Sequence, residues 1–205
     1  VQGAGKLKDI RILYPGCTLT TAPVVLCFSS PQYPAPFFPF FLTVAGRFAT
    51  LLDRFAMTIT IASDHAGFEF KRLILGFLSE KDIEYVDFGT NNNDSVDYPD
   101  YAIKVAESVS KGEMDRGILI CGTGIGMSIV ANKFHGVRAA LCHNAETAEA
   151  SRRHNDANIL VLGGRILDEK AALSIVEIWL ETEFDGGRHQ KRLQKIKEIE
   201  NPAVE

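Results

Sequence analysis

Residues 117–128 read G-I-L-I-C-G-T-G-I-G-M-S. The run Gly117-Ile118-Leu119-Ile120-Cys121 is apolar without alternation, the pattern of a strand buried on both faces of a parallel sheet. Gly122, Thr123, Gly124 and Gly126 then turn the chain into a helix that begins near Ile125. A strand–turn–helix of this kind bares backbone N–H groups that can hold an anion. It also sets the Cys121 thiol beside a helix N-terminus, whose partial positive charge favours thiolate.

The same grammar extends in both directions. Upstream, residues 57–62 (M-T-I-T-I-A) read as a first strand and Ser63-Asp64-His65-Ala66-Gly67 as the turn after it. Phe70, Leu73, Ile74, Phe77 and Leu78 then fall on one face of a helix. Residues 83–88 form a second strand, 89–97 a polar loop, and Tyr98-Pro99 opens a helix carrying Tyr101, Val105 and Val109. Downstream, the helix with Ile125, Ile129 and Val130 ends near Lys133, residues 137–141 are strand four, and 144–154 are a polar, Ala-rich helix. Residues 158–162 are strand five, closed by Gly163-Gly164-Arg165. Asp168 N-caps an amphipathic helix through Trp179, and a basic helix runs from near Arg188 to about Glu200. Five strands, each followed by a helix, predict a Rossmann-like α/β fold: a doubly wound, five-stranded parallel sheet with helices on both faces, plus a C-terminal helix. Ligands of such sheets bind at the carboxyl ends of the strands.

Composition limits the partners. Acids outnumber basic residues 26 to 22 and no basic stripe interleaved with aromatics occurs, so nucleic acid is not expected. The cysteines at 17, 27, 121 and 142 form no C-x-x-C pair, which argues against a zinc ribbon and a disulfide framework and for a reducing compartment. The chain also divides near Met57. Residues 1–56 hold six of the eight prolines and seven of the thirteen phenylalanines, but only two of the 26 acids. Proline at that density, Pro31, Pro34, Pro36 and Pro39 among Phe37, Phe38, Phe40 and Phe41, stops helix and strand alike. The apolar part, residues 37–52, is short and interrupted by Pro39 and Arg47, so no membrane span is expected. Residues 1–56 therefore read as a disordered leader, left over from a misplaced start or from cloning, or serving as organelle-targeting sequence. Residues 57–205 are the working domain. Its expected compartment is the cytoplasm, or an organelle if the leader is a targeting segment.

The loops after strands one and three bring Asp64, His65, Cys121 and Thr123 to one rim, His143 follows strand four, and His154-Asn155-Asp156 leads into strand five. Ionisable residues at several strand ends of one sheet edge are what an active site requires. Each has a plainer reading: Asp64 as a helix cap, Cys121 as a small buried apolar residue, His143 as a solvent-facing loop residue. The glycine turn does not match a dinucleotide site, because Met127 stands where G-x-G-x-x-G needs glycine and no acid ends the next strand. It fits an oxyanion cradle beside Cys121 better. Arg188 and Arg192, four apart and preceded by Gly186-Gly187, project on one helix face and can grip one phosphate, or form a solvated basic face.

Five motifs in order, S-D-H-A-G (63–67), D-Y-P-D-Y-A (97–102), I-C-G-T-G-I-G-M-S-I-V-A-N-K (120–133), R-H-N-D-A-N (153–158) and G-G-R-H-Q-K-R (186–192), resemble the type B ribose-5-phosphate isomerases, a family that also includes galactose-6-phosphate isomerase. The resemblance spans Met57 to about Glu200 and leaves the leader outside it. It implies an aldose–ketose isomerase of the pentose phosphate pathway with no metal and no organic cofactor. Cys121 then moves the proton between C1 and C2, with Thr123 beside it, and the N–H groups of Gly122, Gly124, Ile125 and Gly126 stabilise an enediolate. Asp64 and His154 open the furanose ring. Arg188, Arg192, His189 and Arg165 bind phosphate, and His65, Tyr98 and Asn155 hold sugar hydroxyls. Some relatives carry glutamate where this chain has Cys121. The resemblance also implies a homodimer or tetramer whose sites are shared between subunits, with the His154 segment or the Arg188 helix facing a neighbour's Cys121 loop. The rivals are a hexose-6-phosphate isomerase for allose or galactose phosphate and a non-catalytic sugar-phosphate sensor. Galactose-specific relatives divide the catalytic set between two unlike chains, whereas this chain holds all of it.

Overall fold

The computed structural model describes residues 57–201, and the leader assigned to residues 1–56 lies outside them. Five strands make one sheet: β1 (Ile59–Ser63), β2 (Tyr85–Asp87), β3 (Arg116–Cys121), β4 (Ala139–Leu141) and β5 (Ile159–Gly163). All pairings are parallel and the order is β2-β1-β3-β5-β4. The described helices are α1 (Phe68–Glu80), α2 (Tyr98–Ser110), α3 (Ile125–Ala131), α4 (Ala145–Asn155), α5 (Glu169–Glu181) and α6 (Arg188–Glu200), with a 3-10 turn at His65–Gly67.

The apolar strands work because successive side chains enter opposite cores. Ile118 and Ile120 of β3, with Ile59, Ile61, Leu160 and Leu162, pack under Ile74 and Leu78 of α1 and Ile175, Val176 and Trp179 of α5. Leu119 and Cys121, with Ile159 and Val161, face the other way onto Ala102 and Val105 of α2 and Met127 and Ala131 of α3. A strand alternating polar and apolar residues would leave one of these cores unfilled. β2 is shorter than residues 83–88 and its three residues are exposed, because it is an edge strand paired with β1 alone. β1 and β4 likewise begin two residues later than their apolar patterns do.

Side-chain caps set the helix starts. Asp64 Oδ1 accepts the Gly67 N–H at 3.0 Å, Asp168 Oδ1 accepts that of Ala171 at 2.8 Å, and Asn144 and Thr147 form a reciprocal capping box. The winding leaves β1 toward β2 on one side and continues from β3 on the other. The crevice at the carboxyl ends of β1 and β3 is therefore the switch point where such sheets take their ligands. Asp64 follows β1 there and Cys121 ends β3. Among the described residues, no helix is long and apolar enough to cross a membrane.

Candidate active site

At the switch point the Cys121 side chain is 5% exposed, and its Sγ accepts the Gly124 N–H at 3.1 Å. The turn depends on Gly124: its φ is +79°, and a Cβ there would lie 2.4 Å from Leu141 Cδ1. Thr123 is exposed, and its Oγ1 accepts the Ile125 N–H at 3.4 Å, which leaves its own O–H as a donor. Gly126 lets the Tyr98 ring lie against the helix start, since a Cβ at 126 would come within 2.6 Å of Tyr98 Cζ. Arg165 lies along Gly122, with Cδ 3.5 Å from where a Cβ would stand. Asp64 is buried beside β3, its N–H donating to the Ile120 carbonyl at 3.1 Å, and His65 Nδ1 accepts the Val96 N–H at 3.2 Å. The loops after β1, β2, β3 and β5 thus bring Asp64, His65, Tyr98, Cys121, Thr123, the glycine turn and Arg165 to one rim. Exposed His143 follows β4 on the same edge, its N–H donating to Thr147 Oγ1 at 3.2 Å.

His154, Asn155, Arg188, His189 and Arg192 are not at that rim. α4 runs back against the strand direction, so its last residues lie at the amino ends of the sheet. There Arg138 Nε donates to the Asn155 carbonyl at 3.0 Å and Gly117 N–H to the Asn158 carbonyl at 2.9 Å. The five residues of β5, at about 3.3 Å each, separate the two rims by roughly 16 Å. α6 is tied to the far rim at both ends. His189 stacks on His154 with ring centroids 4.3 Å apart and planes within 7°, and the Glu200 carboxylate accepts the Gly136 N–H at 3.1 Å. The strand-end rim thus carries Asp64, His65, Cys121 and Thr123 but not His154, and the two groups stand on opposite edges of the sheet, because the helix bearing His154 must cross the sheet's full height before β5 begins.

The ribose/galactose isomerase family model matches residues 59–196. The chain belongs to that family. It is 47% identical over 142 residues to ribose-5-phosphate isomerase B of Escherichia coli (strain K12), covering 69% of this chain and 95% of that one. The structure of Clostridium thermocellum ribose-5-phosphate isomerase B superposes with a TM-score of 0.70 at 56% identity, over 72% of this chain and all (100%) of that one. That of Mycoplasma genitalium ribose-5-phosphate isomerase B with bound ribulose-5-phosphate gives 0.69 at 43% identity, over 72% and 98%.

In this isomerase-family chain the far rim gathers Arg153, His154, Asp185, Arg188 and His189. Two residues there went unread in the sequence. Asp185 takes both the Arg153 guanidinium, at 3.2 Å, and a place beside His154 and His189; Arg153 O in turn accepts the Asp185 N–H at 3.0 Å. The signals were an acid directly before G-G-R-H and the doubled arginine before His154. Ligand atoms of His154, Asp185 and His189 all lie within 4.8 Å of one another, as a metal would require. The surroundings oppose it: the rings are nearly parallel, so their in-plane lone pairs do not converge. Arg153 occupies the carboxylate, and Arg188 Nε donates to His189 Nε2 at 3.2 Å.

That last bond leaves His189 Nδ1 buried without a partner. Burial holds the His189 ring below the ordinary histidine value, and the charges of His154, Arg188 and Arg192 push the same way, opposed by Asp185. The unfolded chain therefore takes up a proton that the folded ring resists. The linked stability is full above about pH 6.5 and is lost as pH falls below it. His189→Asn removes this titration, so its denaturation midpoint should drop less than the parent's between about pH 7.5 and about pH 5.5. Equal drops in the two proteins would assign the acid sensitivity to another group.

Proposed function

We propose that the chain interconverts ribose 5-phosphate and ribulose 5-phosphate through a cis-enediolate. The single observation that carries this is the buried Cys121 sulfur at the switch point, facing its glycine turn, in a chain of this family. Asp64 and a histidine, His154, open the furanose by moving protons at the anomeric hydroxyl and the ring oxygen. The Cys121 thiolate takes the proton from C2. The electron pair enters a C1–C2 double bond and leaves negative charge on O1. The Cys121 thiol, whose proton exchanges with solvent, then protonates C1 as the O2 proton passes to O1 and C2 becomes the carbonyl. Charge grows on oxygen as the proton leaves, so N–H donors already in place lower the barrier more than they favour substrate. Because Gly124 N–H is turned onto sulfur and Ile125 N–H onto Thr123, the donors for the enediolate are the N–H groups of Gly122, Thr123 and Gly126, with the Thr123 hydroxyl.

Phosphate is held by Arg188, Arg192 and His189, with Arg165, while His65, Tyr98 and Asn155 take sugar hydroxyls. Phosphate far from C1 supplies binding energy that orients the reacting end. The two half-sites make one site when two copies of the chain face each other, the far rim of one closing over the Cys121 rim of its neighbour. Steady-state kinetics with ribose 5-phosphate, allose 6-phosphate and galactose 6-phosphate test the substrate. The pentose phosphate should have the highest kcat/KM, and a clear preference for a hexose phosphate would sink the assignment.

A further inference from the structure

Lys71 is the one lysine among the described residues that is fully buried, at 1% exposure, and no step proposed above uses it. Its Nζ lies 2.6 Å from each carboxylate oxygen of Asp87, at the carboxyl end of β2. A buried ion pair is weak support for stability, since apolar side chains of similar volume commonly do as well. What this pair holds is more informative. Asp87 Oδ1 also accepts the Gly89 N–H at 2.8 Å. Gly89 O in turn accepts the Ser63 N–H at 2.7 Å, and Ser63 O accepts the Thr90 N–H at 2.9 Å. Ser63 is the residue before Asp64. On its other side Asp64 is held by its N–H to Ile120 O and by the Gly67 N–H, which reaches both its carbonyl and its carboxylate, and Ser63 pairs with Ile120 in the β1–β3 ladder. The chain of contacts Lys71, Asp87, Gly89, Ser63 thus ends at the main chain that carries the Asp64 carboxylate.

We propose that Lys71 and Asp87 are a positioning pair for Asp64: from behind the sheet they strap the loop after β2 onto the end of β1 and so set where the ring-opening carboxylate stands. The proposal rests on the ring-opening role given to Asp64 above. It separates two halves of the reaction. Opening the furanose of ribose 5-phosphate needs Asp64. Exchange of a C1 proton of ribulose 5-phosphate with solvent needs only Cys121 and its donors, because a 2-ketopentose phosphorylated at C5 has no hydroxyl free to close a furanose.

The test measures both on the full chain, isomerisation starting from ribose 5-phosphate and deuterium entry at C1 of ribulose 5-phosphate in heavy water, for Lys71→Met, Asp87→Asn, the double variant and Asp64→Asn. A displaced carboxylate should lower kcat/KM for ribose 5-phosphate by about ten- to a hundredfold in the two single variants. Deuterium entry should stay within about threefold of the parent, since the Cys121 turn is untouched. The double variant, which strands no charge, should fold and show the same split. A merely structural pair would lower both rates together and overturn the proposal. So would a double variant with parental isomerisation, which would trace the single-variant defects to an unpaired buried charge. Asp64→Asn is the control for the underlying reading. If it leaves the two rates in parental proportion, the ring-opening assignment fails and the proposal with it; if it splits them and Lys71→Met does not, the pair alone is refuted.

Discussion

Cys121→Ser abolishes turnover: kcat for ribose 5-phosphate is expected to fall by about 10²–10⁴-fold, and Cys121→Ala by at least as much. Serine keeps an acceptor for the Gly124 N–H, now 3.1 Å from sulfur, so the glycine turn retains its shape while the base is lost. Alanine leaves that N–H without its acceptor as well, a loss of about 1 kcal/mol that makes the serine variant the cleaner of the two. Both should also lose deuterium entry at C1 of ribulose 5-phosphate, which a displaced ring-opening group would spare. Binding should survive, because Arg188, His189 and Arg192 lie at the far rim and neither substitution alters Arg165 beside Gly122. Calorimetric titration with ribulose 5-phosphate should give a Kd within about threefold of the parent, a change of under 1 kcal/mol. Retained exchange in Cys121→Ser would remove the residue from its role as base. Loss of binding would instead mean that the turn had collapsed.

The parts of this site that could be read in the sequence are those fixed by local geometry. An apolar run followed by G-T-G-I-G can be little other than a buried strand turning into a helix, and the pattern placed Cys121, Thr123 and the glycines correctly relative to one another. Asp64 was open between a cap and a catalytic role; it caps Gly67 and stands at the switch point, so the two readings do not compete. Less legible was anything set by the direction in which an element crosses the sheet. His154 and Arg188 were found by motif, yet which rim they reach depends on α4 running antiparallel to its strands, and periodicity carries no such vector. Lys71 was missed for a different reason. Phe70, Leu73, Ile74, Phe77 and Leu78 mark the apolar face of α1, and a lysine carries no apolar signal that would add it to them. The helix buries Lys71 with Ile74 and Leu78, positions three and four apart, because Asp87 on the neighbouring edge strand neutralises it. A charge pair made across two elements leaves no trace in the pattern of either one.

Mixing two inactive variants should restore activity. Six bonds of about 1.5 Å join C1 of a pentose 5-phosphate to its phosphorus, so the molecule spans under about 9 Å even at full stretch. It is too short to meet Cys121 and the His154 ring of one chain across a sheet whose rims are separated by the roughly 16 Å height of β5. A site that uses both must take them from two chains. Cys121→Ser and His154→Ala chains are each expected to be inactive with ribose 5-phosphate as homo-oligomers, every site lacking one group. When the two are unfolded together and refolded, half the pairs are mixed by chance, and each mixed pair has one site with both groups intact and one with neither. Specific activity should rise to about a quarter of the parent's, in a dimer or in a tetramer of such pairs. If Cys121 and His154 of one chain served the same site, every site in the mixture would still lack one of them and activity would stay at background. Arg188→Ala in place of His154→Ala extends the test to the phosphate: rescue by Cys121→Ser chains would put Arg188 with His154 on the neighbour's side, and its absence would put Arg188 on the Cys121 side of the divide.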